Sequence, residues 1–352
     1  MLVLSFGGPE GPDEVRPFLA NVTRGRGVPP ERLDEVAEHY LHFGGVSPLN
    51  RLNRELIAGI ERELASAGIE VAVYFGNRNW HPFVEDTVAR MADDGVGEAL
   101  VFATSAWGGY SGCRQYHEDI ARARSAVGPR APQLIKLRQF FDHPLFVAAN
   151  ADAVRRALPE AGPGARLVFT AHSVPVAADA AAGLPAEGGH RYSRQVAEAA
   201  RLVAGEIGAE CYDVVWQSRS GPAAVPWLAP DVADHLETLQ ADGVPGVALA
   251  PVGFVADHLE VVWDLDHEAA HRAVQLGLGF VRAATAGSDP RLARMVVELV
   301  GEHTAGLEPR RRSTVPAAGY GIDGSPCAPG CCEPVRRAGQ PDVTVSADRR
   351  PG

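Results

Sequence analysis

Three of the five cysteines in this 352-residue chain fall within six positions, in Cys327-Ala-Pro-Gly-Cys331-Cys332-Glu-Pro. Thiolates so close together can ligate a soft metal or exchange disulfides. Proline and glycine between them exclude a helix or strand and let the backbone wrap tightly. The spacing leaves three readings open: a thiolate-held metal cluster, a structural zinc, or a disulfide with a spare thiol. Zinc commonly uses paired Cys-x-x-Cys, which is absent here. A second candidate is His172, in Thr170-Ala-His-Ser-Val-Pro175. An apolar run ends there and a proline-punctuated loop begins, the place for a working histidine in an α/β fold. Its imidazole could accept a proton near pH 7, ligate a divalent cation, or simply bond loop carbonyls. Third, Asp257, Glu260, Asp264, Glu268 and His271 recur at spacings of three and four. On a helix over 257–276, with Asp257 as N-cap, they form one acidic stripe. Such a stripe is usually a solvated face. Starting at a ligand-binding edge, it also suits a path for a hydrated divalent cation.

The elements that must position these groups are written in the apolar runs. Short continuous runs at 2–6, 69–75, 99–105, 134–137, 167–170, 213–217, 247–252 and 279–283 alternate with helical patterns. The clearest helices cover 53–67, 84–93, 144–157, 192–207, 231–242, 257–276 and 290–302. Buried strands separated by helices predict parallel sheets covered on both faces. Leu100-Val-Phe-Ala-Thr-Ser105 resembles Leu167-Val-Phe-Thr-Ala-His-Ser173, which suggests two similar halves. The expected division is 1–138, 139–302, and a tail, 303–352, packing back on the first half. Cys211, just before a strand run, is expected in the core.

Composition sets limits. Net charge is −11, which argues against a nucleic-acid partner. No apolar run reaches membrane-spanning length, and the N-terminus lacks a basic region before its glycines, so a cytoplasmic protein is expected. No Walker loop or dinucleotide fingerprint occurs.

The motifs, taken in order, resemble the ferrochelatase family, which inserts ferrous iron into a porphyrin. They are Leu4-Ser-Phe-Gly-Gly-Pro9, Phe43-Gly-Gly-Val-Ser-Pro-Leu-Asn50, Arg78-Asn-Trp-His-Pro82, Tyr110-Ser-Gly-Cys-Arg-Gln-Tyr116, Thr170-Ala-His-Ser-Val-Pro175, Val215-Trp-Gln-Ser-Arg-Ser-Gly-Pro222, Pro226-Trp-Leu and Ala256-Asp-His-Leu-Glu260. The resemblance runs from Leu2 to about Glu302. It implies two similar Rossmann-like domains, with parallel sheets flanked by helices, around a porphyrin cleft. His172 matches the family's active-site histidine and Glu260 its partner glutamate. Asp264 matches the acidic residue one turn on, and Asp257-His258 the pair before the glutamate. His172, Glu260 and Asp264 would then share the handling of pyrrole protons and substrate iron.

Firmicute relatives carry a tyrosine where this chain has Phe6, so Phe6 can line the porphyrin but cannot ligate iron. Some members hold a [2Fe–2S] cluster with one internal cysteine and three near the C-terminus. The matching set is Cys113, Cys327, Cys331 and Cys332, four thiolates being enough for such a centre.

The Cys-x3-Cys-Cys ending and a lysine-poor, high-GC composition resemble the actinobacterial type, which implies coproporphyrin III as substrate. Its four propionates call for cations and polar donors, for which Arg24, Arg26, Arg78, Arg114, Ser218 and Arg219 are candidates. Protoporphyrin IX is the alternative substrate. A sirohydrochlorin-type chelatase and a non-catalytic heme or iron carrier with an iron–sulfur sensor are rival functions. The expected state is a monomer with transient contact to the downstream heme-pathway enzyme.

Overall fold

A computed structural model describes residues 1–25, 27–220, 224–317 and 328–335. Two four-stranded parallel sheets form its frame, ordered β2-β1-β3-β4 and β6-β5-β7-β8. The strands are β1 (Leu2–Ser5), β2 (Tyr74–Asn77), β3 (Glu98–Ala103), β4 (Gln133–Lys136), β5 (Arg166–His172), β6 (Tyr212–Gln217), β7 (Gly246–Ala250) and β8 (Gly279–Arg282). Between them lie α1 (Val15–Thr23), α2 (Pro30–His42), α3 (Leu49–Ser66), α4 (Val84–Asp93), α5 (Gln115–Val127), α6 (Pro144–Glu160), α7 (Val176–Ala180), α8 (Arg191–Ile207), α9 (Val232–Ala241), α10 (Leu259–Val261), α11 (Ala270–Leu276) and α12 (Pro290–Thr304). Among the described residues no helix is long and apolar enough to cross a membrane.

The two sheets repeat one topology, but not with the partners the sequence echo suggests. Each order places the first strand of its half second in the sheet, so β1 corresponds to β5 and β3 to β7. The likeness of β3 to β5 therefore reflects two buried strands of similar composition. The equivalent pair reads Leu2-Val-Leu-Ser5 against Leu167-Val-Phe-Thr170. The run at 69–75 also shifts: pairing begins only at Tyr74, opposite Leu2, and Val71 is 49% exposed.

One core spans both halves. Val3, Phe102 and Phe140 join Phe169, Tyr192 and Trp216 in it. Helix α12 crosses to pack on α3, where Gly59 allows contact: a Cβ there would lie 3.0 Å from Ala293 Cβ. Trp107 Nε1 donates to the Gly253 carbonyl at 2.7 Å, tying the first half to the loop after β7.

The described parts of the tail, residues 303–317 and 328–335, touch both halves. Arg114 Nη1 donates to the Cys331 carbonyl at 3.0 Å. On the other side, the Cys332 amide donates to the Gly183 carbonyl at 3.0 Å. Cys211 is exposed, not in the core, because it stands one residue before β6 begins.

Candidate active site

In the second sheet the chain leaves β5 toward β6 on one side and returns to β7 on the other. Such a reversal opens a crevice at the carboxyl ends of the strands. His172 is the last residue of β5. Glu260 enters on α10, the helix reached from β7, and its Oε1 lies 3.6 Å from His172 Nε2. Both side chains stay open to water, at 37% and 45% exposure.

The imidazole is oriented from behind. Nδ1 stands 2.5 Å from the Ser173 carbonyl, which can only accept, so Nδ1 carries the proton and Nε2 faces Glu260. Tyr192 donates its hydroxyl to the His172 carbonyl at 2.7 Å. Burial lowers the affinity of His172 for a proton, but the Glu260 carboxylate, the Ser173 carbonyl and Asp264 outweigh it, so its pKa is raised above 6.5. For Glu260 burial acts upward, yet His172 and His258 hold it well below the usual carboxylate range. At neutral pH Glu260 is an anion.

Asp264 behaves oppositely. Burial, with the Glu260 charge behind it, pushes its carboxyl up to about 7, against the hydrogen bond from Ser218. Ser218 Oγ donates to Asp264 Oδ2, and Gln217 Nε2 stands 3.3 Å from the same oxygen. The backbone turns sharply at Ser218, with φ of 60°, as β6 ends. That turn aims Ser218 at an acid rather than outward. His172, Glu260 and Asp264 thus form one set holding an imidazole of raised proton affinity, an anion and a carboxyl near its midpoint.

The acidic helix is not a regular α-helix. Val262–Ala269 is a π-helix, a rare form concentrated at functional sites. Its start also differs from expectation. His258, not Asp257, is the N-cap, accepting from the Val261 amide at 3.4 Å, and burial lowers the His258 pKa. Asp257 instead ion-pairs with Arg282 at 3.0 Å. Helix α2 closes over this segment: the His39 ring stacks on Trp263 at 3.8 Å. The neighbouring residue, Tyr40, lies near Glu260 and Asp264. Burial and those two charges raise its phenol, so it stays a neutral donor. Tyr40 escaped the sequence reading because only tertiary docking brings α2 here.

The residues proposed to hold the porphyrin separate into two groups. Phe6 is 36% exposed at the end of β1, its ring 6.4 Å from Phe18. Arg24 and Arg219 are exposed, whereas Arg26 lies outside the described residues. Arg78 is a correction. It is 3% exposed, ion-paired with Asp119, bonded to Gln115 at 2.9 Å, and stacked over Tyr116 at 4.2 Å. The charge of a guanidinium so enclosed is met inside the protein by Asp119. Arg114 is turned to the tail through the Cys331 carbonyl and to Glu118 of its neighbouring helix α5.

Of the four cysteines matched to a cluster, Cys327 lies outside the described residues. Cys113, Cys331 and Cys332 are all buried. Cys331 and Cys332 place their sulfurs 3.8 Å apart. Two thiolates on one tetrahedral metal, at about 2.3 Å each, stand about that far apart. The Gly183 amide donates to Cys332 Sγ at 3.1 Å, and Lys136, the chain's single lysine, stands 3.6 Å from Cys113 Sγ. A hydrogen bond with Cys331, then burial, raises the Cys332 thiol. Among the cysteines described, only Cys331 and Cys332 stand as close as two ligands of one metal. Among the described residues, no group of three or more His, Cys, Asp or Glu side chains is assembled closely enough to hold a metal ion.

Fold and site together define an α/β protein with a histidine and two acids gathered at the carboxyl edge of a doubly wound sheet. The ferrochelatase family model matches residues 1–304, so the chain belongs to the ferrochelatase family, lyases that insert metal into porphyrin. A Nocardia farcinica protein named coproporphyrin III ferrochelatase is 67% identical over 96% of this chain and 97% of its own length. One of the same name from Mycolicibacterium smegmatis is 60% identical over 94% and 98%. Among solved structures, SirB from Bacillus subtilis with Fe3+ is 14% identical, covers 86% of this chain and 93% of its own, and gives a TM-score of 0.49, a likeness too distant to bear on chemistry.

Proposed function

We propose that this chain inserts ferrous iron into coproporphyrin III, with His172 and Glu260 as its catalytic pair. The 3.6 Å approach of His172 Nε2 to Glu260 carries the reading, beside relatives that bear this activity as their name. Insertion exchanges two pyrrole N–H protons for one Fe2+. His172 accepts a pyrrole proton at Nε2, since Nδ1–H is committed to the Ser173 carbonyl. Glu260 stabilises the imidazolium as it forms, which makes the imidazole a stronger base. Glu260 and Asp264 supply hard oxygens to the arriving ferrous ion, which is substrate. An Asp264 carboxyl held near 7 can release its proton when the cation arrives and take up the second pyrrole proton when it leaves. Phe6 lines the porphyrin, Ser218 holds Asp264, and Arg24 and Arg219 meet the propionates.

The cysteines complete the assignment. Cys113, Cys327, Cys331 and Cys332 hold a [2Fe–2S] cluster. It lies apart from His172 and Glu260, so when bound it ties the tail down and carries no electron for an insertion in which iron stays ferrous. Iron and inorganic sulfide analysis of anaerobically purified protein checks this. Equimolar sulfide and iron, lost on substituting Cys331 with Ser, support it; zinc without sulfide sinks it.

Anaerobic Fe2+ insertion with coproporphyrin III and protoporphyrin IX in parallel, followed by absorbance, tests the substrate. Turnover of coproporphyrin in strong preference supports the reading. Preference for protoporphyrin overturns the substrate, and binding of both with turnover of neither points to a carrier.

A further inference from the structure

Helix α8 begins where three parts of the molecule meet. Its first residue, Arg191, is 1% exposed, is ion-paired with Glu187, and presses on Gly183, where an added Cβ would lie 3.1 Å from Arg191 Cβ. The Arg191 amide donates to the Ala182 carbonyl at 3.1 Å. Residues 182–183 are therefore held from one side by the start of α8.

The cysteine loop holds them from the other. Cys332 makes two hydrogen bonds to Gly183, amide to carbonyl at 3.0 Å and, in return, sulfur from amide at 3.1 Å. Gly330, at φ of 82°, lies against Pro185 so closely that a Cβ would sit 2.9 Å from its Cγ. Neither Gly183 nor Pro185 can shift without moving the loop.

The second residue of α8 is Tyr192, whose hydroxyl grips the His172 carbonyl at 2.7 Å. Its ring is wedged between Trp107, at 6.5 Å, and Trp216, at 5.7 Å, so it has little freedom of its own. The contact series Cys332, Gly183, Arg191, Tyr192, His172 is unbroken.

We propose that Tyr192 is a positioning residue for His172 and that the docked cysteine loop fixes its placement, so the state of the loop is felt at the active-site histidine. This rests on the catalytic reading of His172 for its kinetic consequence, but not for its geometric one. The tail thereby acquires a second task beyond anchoring itself, which is to hold the imidazole in line with Glu260. Coupling of this kind needs a direct measurement and not contiguity alone.

The test uses the full-length protein, labelled with 15N-histidine, anaerobic and free of porphyrin and added iron. Three variants are compared: Tyr192→Phe, Cys332→Ala and Pro185→Gly. The last loosens loop docking without touching a thiol, so it stands if loss of Cys332 prevents folding. All three should move the His172 ring resonances in the same direction. With coproporphyrin III and Fe2+, Tyr192→Phe should lower kcat about tenfold, short of the 10²–10⁴ that losing a base costs, while KM for porphyrin stays within about twofold. In combination with Pro185→Gly it should fall little further, because the two act along one route. Unchanged ring resonances in Tyr192→Phe would overturn the positioning role. Unchanged resonances in both loop variants would overturn the coupling. If the resonances move while His172→Ala still inserts iron at the normal rate, the geometric inference stands and the catalytic reading falls.

Discussion

Replacing Glu260 with Gln keeps the shape of the side chain and removes its charge. Two unit charges 3.6 Å apart attract by about 1.2 kcal/mol in a medium as polarisable as water. His172 and Glu260 are 37% and 45% exposed, so the water-like figure is the appropriate floor. Without that attraction His172 holds its proton less tightly, so its pKa falls. Gln keeps an acceptor oxygen, so the loss is that of the charge alone. Burial, the largest single influence on this ring, is then opposed only by Asp264 and the Ser173 carbonyl, and the pKa should drop below 6.5. The sign is fixed by linkage. A raised histidine pKa means the pair's contribution is complete below 6.5 and is lost as pH rises through the folded value; the depressed Glu260 loses its part only in strong acid. Titration of the 15N-histidine resonances in wild type and Glu260→Gln reads the shift directly. Insertion of iron should fall at least about 10²-fold, because a weaker base meets iron without its carboxylate. A His172 pKa that stays put or rises in the variant would refute this account of the pair.

Asp264→Asn should raise thermal stability, and increasingly so as pH rises from about 4 to 8. A buried carboxyl titrating near 7 costs the folded state as the unfolded chain ionises first, at about 3.8. Melting temperatures at pH 5 and pH 8 check this, and a larger gain at pH 5 contradicts it. Arg78→Ala should destabilise by about 1–3 kcal/mol, because it takes one of two guanidinium partners from the fully buried Asp119, leaving Arg122 at 2.8 Å. Chemical denaturation measures it, and the porphyrin affinity of the folded fraction should be unchanged. Arg219→Ala, at an exposed position, should weaken coproporphyrin III binding by about tenfold and cost less stability than Arg78→Ala; fluorescence titration decides between the two arginines.

Much of this molecule is legible as a string of letters because parallel strands buried on both faces read as unbroken apolar runs. Seven of the eight strand positions follow from that signal, and β2 drifts because Ile69, Val71 and Val73 imitate it outside the sheet. His172 was placed by the same logic, at the carboxyl end of such a run. Glu260 and Asp264 came from spacing, which a π-helix preserves well enough to keep both beside His172. What escaped was tertiary. Nothing in Pro30–His42 marks Tyr40 as a neighbour of two acids, and nothing local to Arg78 shows that α5 brings Asp119 to meet it. The echo between β3 and β5 misled because composition repeats more readily than topology. The tail's placement against Gly183 depends on a loop whose backbone geometry, with φ of 51° at Cys332, no propensity encodes.

The central claim is that His172 does chemistry on a bound porphyrin. The measurement that reaches it most directly is anaerobic Fe2+ insertion into coproporphyrin III by wild type and His172→Ala, with porphyrin binding measured on the same preparations. The account predicts binding within a few-fold of wild type and insertion reduced by about 10² or more. Insertion at the wild-type rate by His172→Ala would contradict it.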